Sequence, residues 1–178
     1  MPSSVIRPFV STLAVLLVSG FAAAQTDPKV GATPNDPAGP LPDPSHLPVV
    51  LPKDMKCQGK EGVSQICSLF GDSSKPGLYG IIIKWWPGHF SKPHTHDQDR
   101  YAYVISGTWW VSTSSVYDER TTYPVHAGMV AINPRDTVHW DGNRGGEKEP
   151  AVLELVGMGP VKTVGVDENG KPVPMGGR

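Results

Sequence analysis

Residues 93–107 have the sequence PHTHDQDRYAYVISG, in which two histidines two positions apart precede an alternating apolar run that ends at a glycine. Successive side chains of a β-strand point to opposite faces, so His94 and His96 can face the same metal ion. His139 lies farther along the chain and can approach that ion from another strand. The pattern predicts a metal site with three histidine ligands. The alternative is three buried, hydrogen-bonded histidines without an ion.

The run that follows the histidines predicts a half-buried β-strand, because its apolar residues alternate with period two. If the two histidines face inward, the same alternation turns two rows of side chains to opposite sides. The outward row is large and apolar, so we expect a second sheet, an N-terminal arm or another subunit in a homodimer to cover it. The inward row is Arg100, Ala102, Val104 and Ser106, and the outward row is Tyr101, Tyr103 and Ile105.

Short apolar runs separated by glycine and proline turns recur along the chain, and they predict an all-β sandwich or barrel. No amphipathic pattern longer than two helical turns accompanies them. A turn at residues 167–170 is expected to join residues 163–166 to 171–173 in a small hairpin, with a loose tail beyond Pro174. The apolar runs are residues 78–86, 101–106, 108–116, 129–132, 137–140 and 152–158.

Composition limits the class of protein. The 178 residues carry a formal net charge of −1, with 19% charged residues, 38% hydrophobic residues, 19 prolines and 20 glycines. These values are typical of one loop-rich globular domain. They give no reason to expect a nucleic acid or an anionic membrane surface as a partner, because neither would be attracted to a nearly neutral chain.

Residues 1–24 have the features of a secretory signal peptide. Arg7 supplies the positive charge, residues 9–21 form the apolar centre, and the AAA at residues 22–24 forms a small-residue cleavage site. We expect cleavage after Ala24 and export to the periplasm or the cell exterior. The alternative is an uncleaved anchor, but the apolar run is shorter than the ~18 residues that a spanning helix usually needs. No membrane span is expected in the mature chain.

The next stretch, residues 25–52, is expected to be a linker or an extended arm. It contains eight prolines, which are incompatible with helix interiors and central strands. The β-rich domain is expected to follow over residues 53–163, and residues 164–178 are expected to form the C-terminal hairpin and tail.

Cysteine usage agrees with export. Cys57 and Cys67 are the only two cysteines of the chain. An oxidising compartment favours a disulfide between them, and the alternative is two buried free thiols. Their spacing is not C-x-x-C, so neither a redox motif nor a zinc knuckle is predicted.

Two segments around the histidines follow a pair of linked motifs. GHFSKPHTHDQDRYAYVISG at residues 88–107 follows G-x5-H-x-H-x3–4-E-x6-G, except that Arg100 stands in place of the glutamate. GMVAINPRDTVHWDGN at residues 128–143 follows G-x5-P-x-G-x2-H-x3-N, except that Asp136 stands in place of the last glycine. Together they resemble the cupin superfamily, and within it the small single-domain exported cupins of the type-2 kind. The resemblance covers about residues 78–160 and implies a jelly-roll β-barrel.

Arg100 changes the chemistry that the resemblance implies. A guanidinium keeps its proton and cannot ligate a cation, so a three-histidine site remains. Its positive charge beside a metal ion is expected to attract an anion, such as a carboxylate-bearing substrate or an oxygen-derived anion. Alternatively, Arg100 turns away to pair with Asp97, Asp99 or Asp141, and Gln98 or Asp99 supplies a fourth ligand.

Three neutral imidazoles favour one divalent transition-metal ion, namely Cu, Fe, Zn or Ni, over hard Mg(II) and Mn(II). Period two from His139 places Asp141 on the same face, where it can orient a histidine or move a proton. The alternative for Asp141 is a turn aspartate before Gly142. Arg100 and Asp141 are therefore the candidate catalytic residues.

Substrate contacts and residues that support the metal ligands are also predicted near the histidines. Trp140 adjoins His139, and an aromatic ring at that position can stack on a substrate. The candidate substrate contacts are Arg100, Trp140 and Tyr103, and the candidates that support the ligands are Asn143, Gln98 and Asp99.

Two functions are compatible with these residues. One is a metal-dependent oxidoreductase or dioxygenase that oxidises or oxygenates a small anionic or sugar-derived substrate. The other is a non-catalytic module that binds a small molecule or a metal outside the cytoplasm. The fold does not decide between them, because one fold hosts many functions.

Overall fold

The computed structural model describes residues 50–175 of the 178-residue chain. The predicted signal peptide, its cleavage site after Ala24 and nearly all of the proline-rich arm lie outside the described residues. Within residues 50–175, no helix is long and apolar enough to cross a lipid bilayer.

Extended strands dominate the described residues, as the short apolar runs predict. Two 3₁₀ turns accompany the strands in this part of the chain, at Pro52–Asp54 and Glu119–Thr121. Asp118 begins the second turn, where its carboxylate accepts a hydrogen bond from the backbone N–H of Arg120 at 3.0 Å. The strands are β1 (Cys57–Lys60), β2 (Ser64–Phe70), β3 (Gly77–Trp85), β4 (His89–Phe90), β5 (His94–His96), β6 (Arg100–Ser106), β7 (Thr108–Ser112), β8 (Tyr123–His126), β9 (Val130–Asn133), β10 (Trp140–Asn143), β11 (Ala151–Gly159), β12 (Thr163–Val166) and β13 (Pro172–Val173).

The strands form antiparallel sheets around one apolar core. The largest sheet has the order β1-β2-β3-β11-β6-β9, a second has the order β4-β10-β7-β8, and a third has the order β13-β12-β5. Side chains from the inner faces meet in a buried cluster that includes Trp85, Val104, Trp109 and Leu153. The architecture is all-β, as predicted, and is a jelly-roll β-barrel.

Alternation along β6 separates an inner row of side chains from an outer row. Val104 is 0% exposed, whereas Tyr101 and Tyr103 are 51% and 46% exposed. On the edge strand β9, Ile132 lies opposite Tyr101 and Val130 lies opposite Tyr103, so the exposed apolar surface continues across both strands. The predicted rows are confirmed. Nothing in residues 50–175 tests the predicted homodimer, which stays a prediction.

Gly107 connects β6 to β7 with a φ of 71°, a conformation that other L-residues rarely adopt. A Cβ atom at this position would collide with the backbone carbonyl oxygen of Pro150. Glycine is therefore required where the alternating run ends, which explains its place in the first motif.

The two cysteines form a disulfide, as predicted. Cys57 in β1 lies directly opposite Cys67 in β2, so the bond joins the outermost strand of the largest sheet to its neighbour. The two residues are 10 apart in sequence. Closing so short a loop is expected to stabilise the fold by about 2–3 kcal/mol, mainly by restricting the unfolded chain.

The predicted C-terminal hairpin is present as β12 and β13, in which Gly165 pairs with Val173. β12 also pairs with β5, the strand of the two spaced histidines, and places Thr163 opposite His96. The hairpin is therefore part of the barrel wall next to the histidines.

Candidate metal centre

His94, His96 and His139 converge, as the sequence pattern predicts. β5 carries the first two, and His139 directly precedes β10 and forms an isolated antiparallel bridge with His94. In that bridge each backbone N–H donates to the carbonyl oxygen of the other residue at 2.9 Å. One ring nitrogen from each histidine lies within 4.8 Å of the other two, and each residue is buried. This arrangement is compatible with one shared metal ion.

Backbone carbonyls orient two of the imidazole rings. The His94 Nδ1 lies 2.6 Å from the carbonyl oxygen of Lys92, and the His139 Nδ1 lies 3.0 Å from the carbonyl oxygen of Thr137. A carbonyl oxygen only accepts hydrogen bonds, so each Nδ1 carries the proton and donates it. Each Nε2 consequently keeps a lone pair, which is the form that binds a metal ion.

His96 contributes a ring nitrogen that has no protein partner. Its Nδ1 lies 2.9 Å from the Oγ1 of Thr163, across the pairing of β5 with β12. Its Nε2 is buried and makes no hydrogen bond with any residue of the described chain. Leaving a buried polar atom unpaired costs free energy, and a cation bound to this nitrogen would remove that cost. The donor set therefore fits a metal ion that prefers imidazole.

Burial keeps His96 and His139 in the neutral form. It is the main cause that lowers the pKa of His96 to about 2, and the positive charge of Arg100 is the next cause. Burial likewise lowers the pKa of His139 to about 4, with His94 adding to the decrease and Asp141 opposing it. Neutral imidazoles bind metal ions without first releasing a proton.

Arg100 lines the same cavity as the three histidines, as the alternation of β6 predicts. The cavity has a volume of about 130 Å³. The Nε of Arg100 is buried without a hydrogen-bond partner. Burial lowers the pKa of the guanidinium, whereas nearby Tyr79 and Asp141 raise it. Arginine keeps its proton in proteins, so the cavity contains a fixed positive charge.

The structure does not support the alternative in which Arg100 turns away from the histidines to pair with Asp97 or Asp99. Asp141, the third predicted partner, lies in the same cavity and favours the charged form of Arg100. Asp97 and Asp99 each accept a backbone N–H hydrogen bond at 2.8 Å, from Lys162 and Arg135 respectively. Neither carboxylate forms an ion pair with Arg100 among the described residues.

Gln98 and Asp99 do not reach the metal ligands. Both line a separate surface groove with Tyr101 and Arg135. The loop after His96 directs them outward, so the structure places neither of them as a fourth ligand or as a support for the histidines.

Asp141 faces the cavity, as period two from His139 predicts. Its Oδ2 accepts hydrogen bonds from the indole Nε1 of Trp85 at 2.9 Å and of Trp109 at 2.8 Å. Its Oδ1 accepts one from the Oγ of Ser91 at 3.0 Å. This buried carboxylate on β10 therefore links its own strand to β3 and β7. It is not merely a turn residue before Gly142.

Asn133 is a polar residue of the site that the sequence patterns did not single out. Its Nδ2 lies 2.8 Å from the Nε2 of His139. It stands on β9 directly opposite Arg100, and both residues line the cavity. Its place before Pro134 gives no sign of this role, because only the register between β6 and β9 brings it to the histidines.

Two of the predicted substrate contacts do not line the cavity. Tyr103 is exposed on the outer face of β6, whereas its neighbour Ala102 points inward and is buried. Trp140 is fully buried, and its ring stacks on Tyr117 with the centroids 4.5 Å apart. Adjacent residues of a strand point to opposite faces, so Trp140 packs on the side away from His139.

Asn143 is fully buried, but it contacts the backbone and not the histidines. Its Nδ2 donates to the carbonyl oxygens of Trp85 at 3.3 Å and of Glu149 at 2.9 Å. These bonds tie the end of β10 to the end of β3 and to the loop before β11.

The sequence of the region that contains this site matches a known family. Residues 81–156 match the profile of the cupin domain, and they include the three histidines, Arg100 and Asn133. These residues form a cupin domain. No curated protein is significantly similar in sequence to the chain.

Solved structures share the fold of this cupin domain at low sequence identity. A protein of unknown function with a cupin-like fold from Ralstonia eutropha JMP134 is 21% identical with a TM-score of 0.50, and the match covers 63% of this chain and 64% of that chain. An RmlC-like cupin protein from the same organism is 15% identical with a TM-score of 0.53, over 68% of this chain and 73% of that chain. The polyketide cyclase RemF from Streptomyces resistomycificus is 18% identical with a TM-score of 0.52, over 68% of this chain and 88% of that chain. These similarities establish the fold alone.

The buried histidines of the cupin domain predict a loss of stability in mild acid when no metal is bound. The pKa of His139 decreases from the ordinary 6.5 to about 4, and that of His96 decreases to about 2. The unfolded chain therefore binds protons first as the pH falls, so this stability is present above pH 6.5. The contribution of His139 is lost between pH 6.5 and 4, and that of His96 continues to be lost toward pH 2. We expect a loss of up to about 1.4 kcal/mol per pH unit for each histidine. Urea unfolding of metal-free protein across this pH range measures the free energy of unfolding at each pH.

Two variants control this experiment. His126→Gln changes an exposed histidine and is expected to keep the pH dependence of the original protein. His96→Gln removes one of the two histidines whose pKa is lowered and is expected to reduce the pH dependence. An identical pH dependence in all three proteins would contradict the prediction.

Proposed function

We propose that the chain is an exported cupin that binds one divalent transition-metal ion through His94, His96 and His139. We further propose that it oxidises or oxygenates a small anionic or sugar-derived substrate held by Arg100. The observation that carries this proposal is the Nε of Arg100, buried and unpaired in the same cavity as the three converging histidines. Imidazole ligands favour Cu, Fe, Zn or Ni. Such an ion supplies Lewis-acid or redox chemistry when bound.

Arg100 binds and orients the substrate in this proposal. Asp141 in the same cavity favours the charged form of Arg100, but the two residues form no direct ion pair among the described residues, so an anion that enters the cavity can bind the guanidinium directly. A carboxylate can accept two parallel hydrogen bonds from a guanidinium, which sets its orientation as well as its position. The opposite end of the substrate is then directed toward the histidines, which line the same cavity.

The dimensions and walls of the cavity favour a small ligand. Its volume of about 130 Å³ is well below that of an ordinary small-molecule pocket, which is roughly 300–1,000 Å³. Apolar side chains such as Ile81, Ile83 and Leu155 line it beside the polar groups. These walls limit the entry of water, which strengthens the attraction between Arg100 and an anion.

Export is part of the same proposal. The disulfide between Cys57 and Cys67 is compatible with it. The predicted signal peptide at residues 1–24 supplies the route to the periplasm or the cell exterior.

A second candidate function, binding without turnover, is favoured by the surroundings of Asp141. Both of its carboxylate oxygens accept hydrogen bonds from Trp85, Trp109 and Ser91. It is the only carboxylate among the described residues that line the cavity. With its oxygens engaged, Asp141 is poorly placed to move a proton during a reaction.

Oxygen uptake separates the two functions. Metal-free protein is loaded anaerobically with Fe(II) or Cu(II), mixed with short carboxylic acids and sugar acids, and exposed to oxygen. We expect uptake above the level of a control that carries both His94→Ala and His96→Ala. Uptake equal to that of the control for every compound would favour the binding module.

Replacement of Arg100 by glutamine is expected to weaken the binding of small carboxylates by roughly 10–100-fold, since a hydrogen bond to a charged group contributes about 1.5–3 kcal/mol. Glutamine keeps much of the length and loses the charge. Isothermal titration of the Zn(II)-loaded protein with acetate and oxalate measures the change. Arg135→Gln removes an exposed arginine of the separate groove and is the matched control. Equal affinities for the Arg100 and Arg135 variants would contradict the role of Arg100.

A further inference from the structure

The side chain of Asn133 contacts the atom of His139 that would face a metal ion. The His139 Nδ1 donates its proton to the carbonyl oxygen of Thr137, so the Nε2 is an acceptor. The amide N–H of Asn133 donates to that Nε2 at 2.8 Å. A metal ion bound there would use the same lone pair, so it would replace this hydrogen bond. The amide of Asn133 would then lie next to the ion.

Two other oxygen-bearing side chains that line the cavity, those of Asp141 and Thr163, are engaged elsewhere. The oxygens of Asp141 accept hydrogen bonds from two tryptophans and from Ser91. The hydroxyl of Thr163 contacts the Nδ1 of His96, on the side of the ring opposite to the free nitrogen. The Oδ1 of Asn133, in contrast, accepts no hydrogen bond from the described residues.

An asparagine can present either end of its amide with little change in shape. Rotation by half a turn about the bond to the amide carbon exchanges Oδ1 with Nδ2. The backbone of Asn133 is held in the sheet by the pairing of β9 with β6, opposite Arg100, so the exchange needs no movement of the main chain. The oxygen would then take the position that the nitrogen occupies beside His139.

We propose that Asn133 supplies a neutral oxygen ligand to the metal ion, alongside the three histidines. This inference rests on the proposed metal binding. A neutral amide ligand adds no negative charge, so the ion and Arg100 together leave the cavity positive and attractive to an anion. Asn133 is thus the residue that completes the donor set without cancelling that charge.

Two variants of Asn133 test the proposal. Asn133→Leu keeps the approximate size and removes the oxygen, and we expect its affinity for Zn(II) to fall by at least about tenfold. Asn133→Asp keeps an oxygen at the same place, and we expect it to bind Zn(II) at least as tightly as the original protein. Affinities are measured by competition with a chelator. The visible absorption of the Co(II)-loaded proteins, which depends on the number and type of ligands, is expected to change in the leucine variant.

Each outcome of this experiment has a defined meaning. Asn169→Leu, in the exposed turn between β12 and β13, is the matched control and should bind like the original protein. If Asn133→Leu keeps the original affinity and Co(II) spectrum, or if leucine and aspartate weaken binding equally, the ligand role of Asn133 is overturned. If the original protein binds neither Zn(II) nor Co(II), the proposed function fails as well, which is a different result from a failure confined to Asn133.

Discussion

Replacement of His96 by alanine is expected to reduce the affinity for a transition-metal ion by roughly 100-fold or more. Replacing a residue that only orients a metal ligand already lowers metal affinity by about 10–100-fold, and the loss of a ligand itself should be larger. His96 contributes the buried Nε2 that has no protein partner, so its removal takes away one of three converging nitrogens. Two imidazoles cannot enclose an ion as three do. Titration of metal-free protein with Zn(II) and Cu(II) in the presence of a competing chelator measures the loss.

The control for this prediction is another histidine of the same chain. His126→Ala changes an exposed residue on β8 and should leave metal affinity unchanged. His94→Ala should reproduce the loss seen for His96, because both project from β5. If His96→Ala binds metal as tightly as the original protein, the three histidines are a hydrogen-bonded cluster that needs no ion.

Replacement of Asp141 by alanine is expected to lower the free energy of unfolding by about 3–5 kcal/mol, in the range observed when one partner of a buried charged network is removed. The change leaves the indole N–H groups of Trp85 and Trp109 buried without an acceptor. It also removes the carboxylate that favours the charged form of Arg100. Each unsatisfied donor contributes about 1–3 kcal/mol to the loss. Urea unfolding followed by tryptophan fluorescence measures it.

Two further variants make this result specific. Asp141→Asn keeps one oxygen as an acceptor for the indoles and is expected to lose less stability than alanine. Asp54→Ala removes an exposed carboxylate near the start of the described residues and should change stability little. A loss below about 1 kcal/mol for Asp141→Ala would show that the indole hydrogen bonds do not hold the barrel together.

The features of the site that depend only on alternation within a strand could be predicted from the sequence. Period two in β5 and β6 was sufficient to place His94, His96 and Arg100 on the inner face and Tyr101 on the outer face. Alternation within a single strand determines which face each side chain occupies, so the pairing with neighbouring strands did not have to be known.

The parts that depend on the register between strands could not be predicted. Asn133 reaches the site because β9 pairs with β6 opposite Arg100, and no local pattern shows that pairing. β1 is exposed at each of its four positions, so it has no apolar alternation to identify it as a strand. The predicted run at residues 108–116 ends at Ser112, whose hydroxyl accepts the backbone N–H of Ser114 at 3.2 Å and turns the chain.

The acceptors that orient His94 and His139 are main-chain oxygens, of Lys92 and Thr137. Every amino acid has a carbonyl oxygen, so the side chains at these two positions are not what fixes the rings. Evolution can therefore exchange residues 92 and 137 freely while the imidazoles keep their orientation. Relatives with the same coordination chemistry need not resemble this chain at either position.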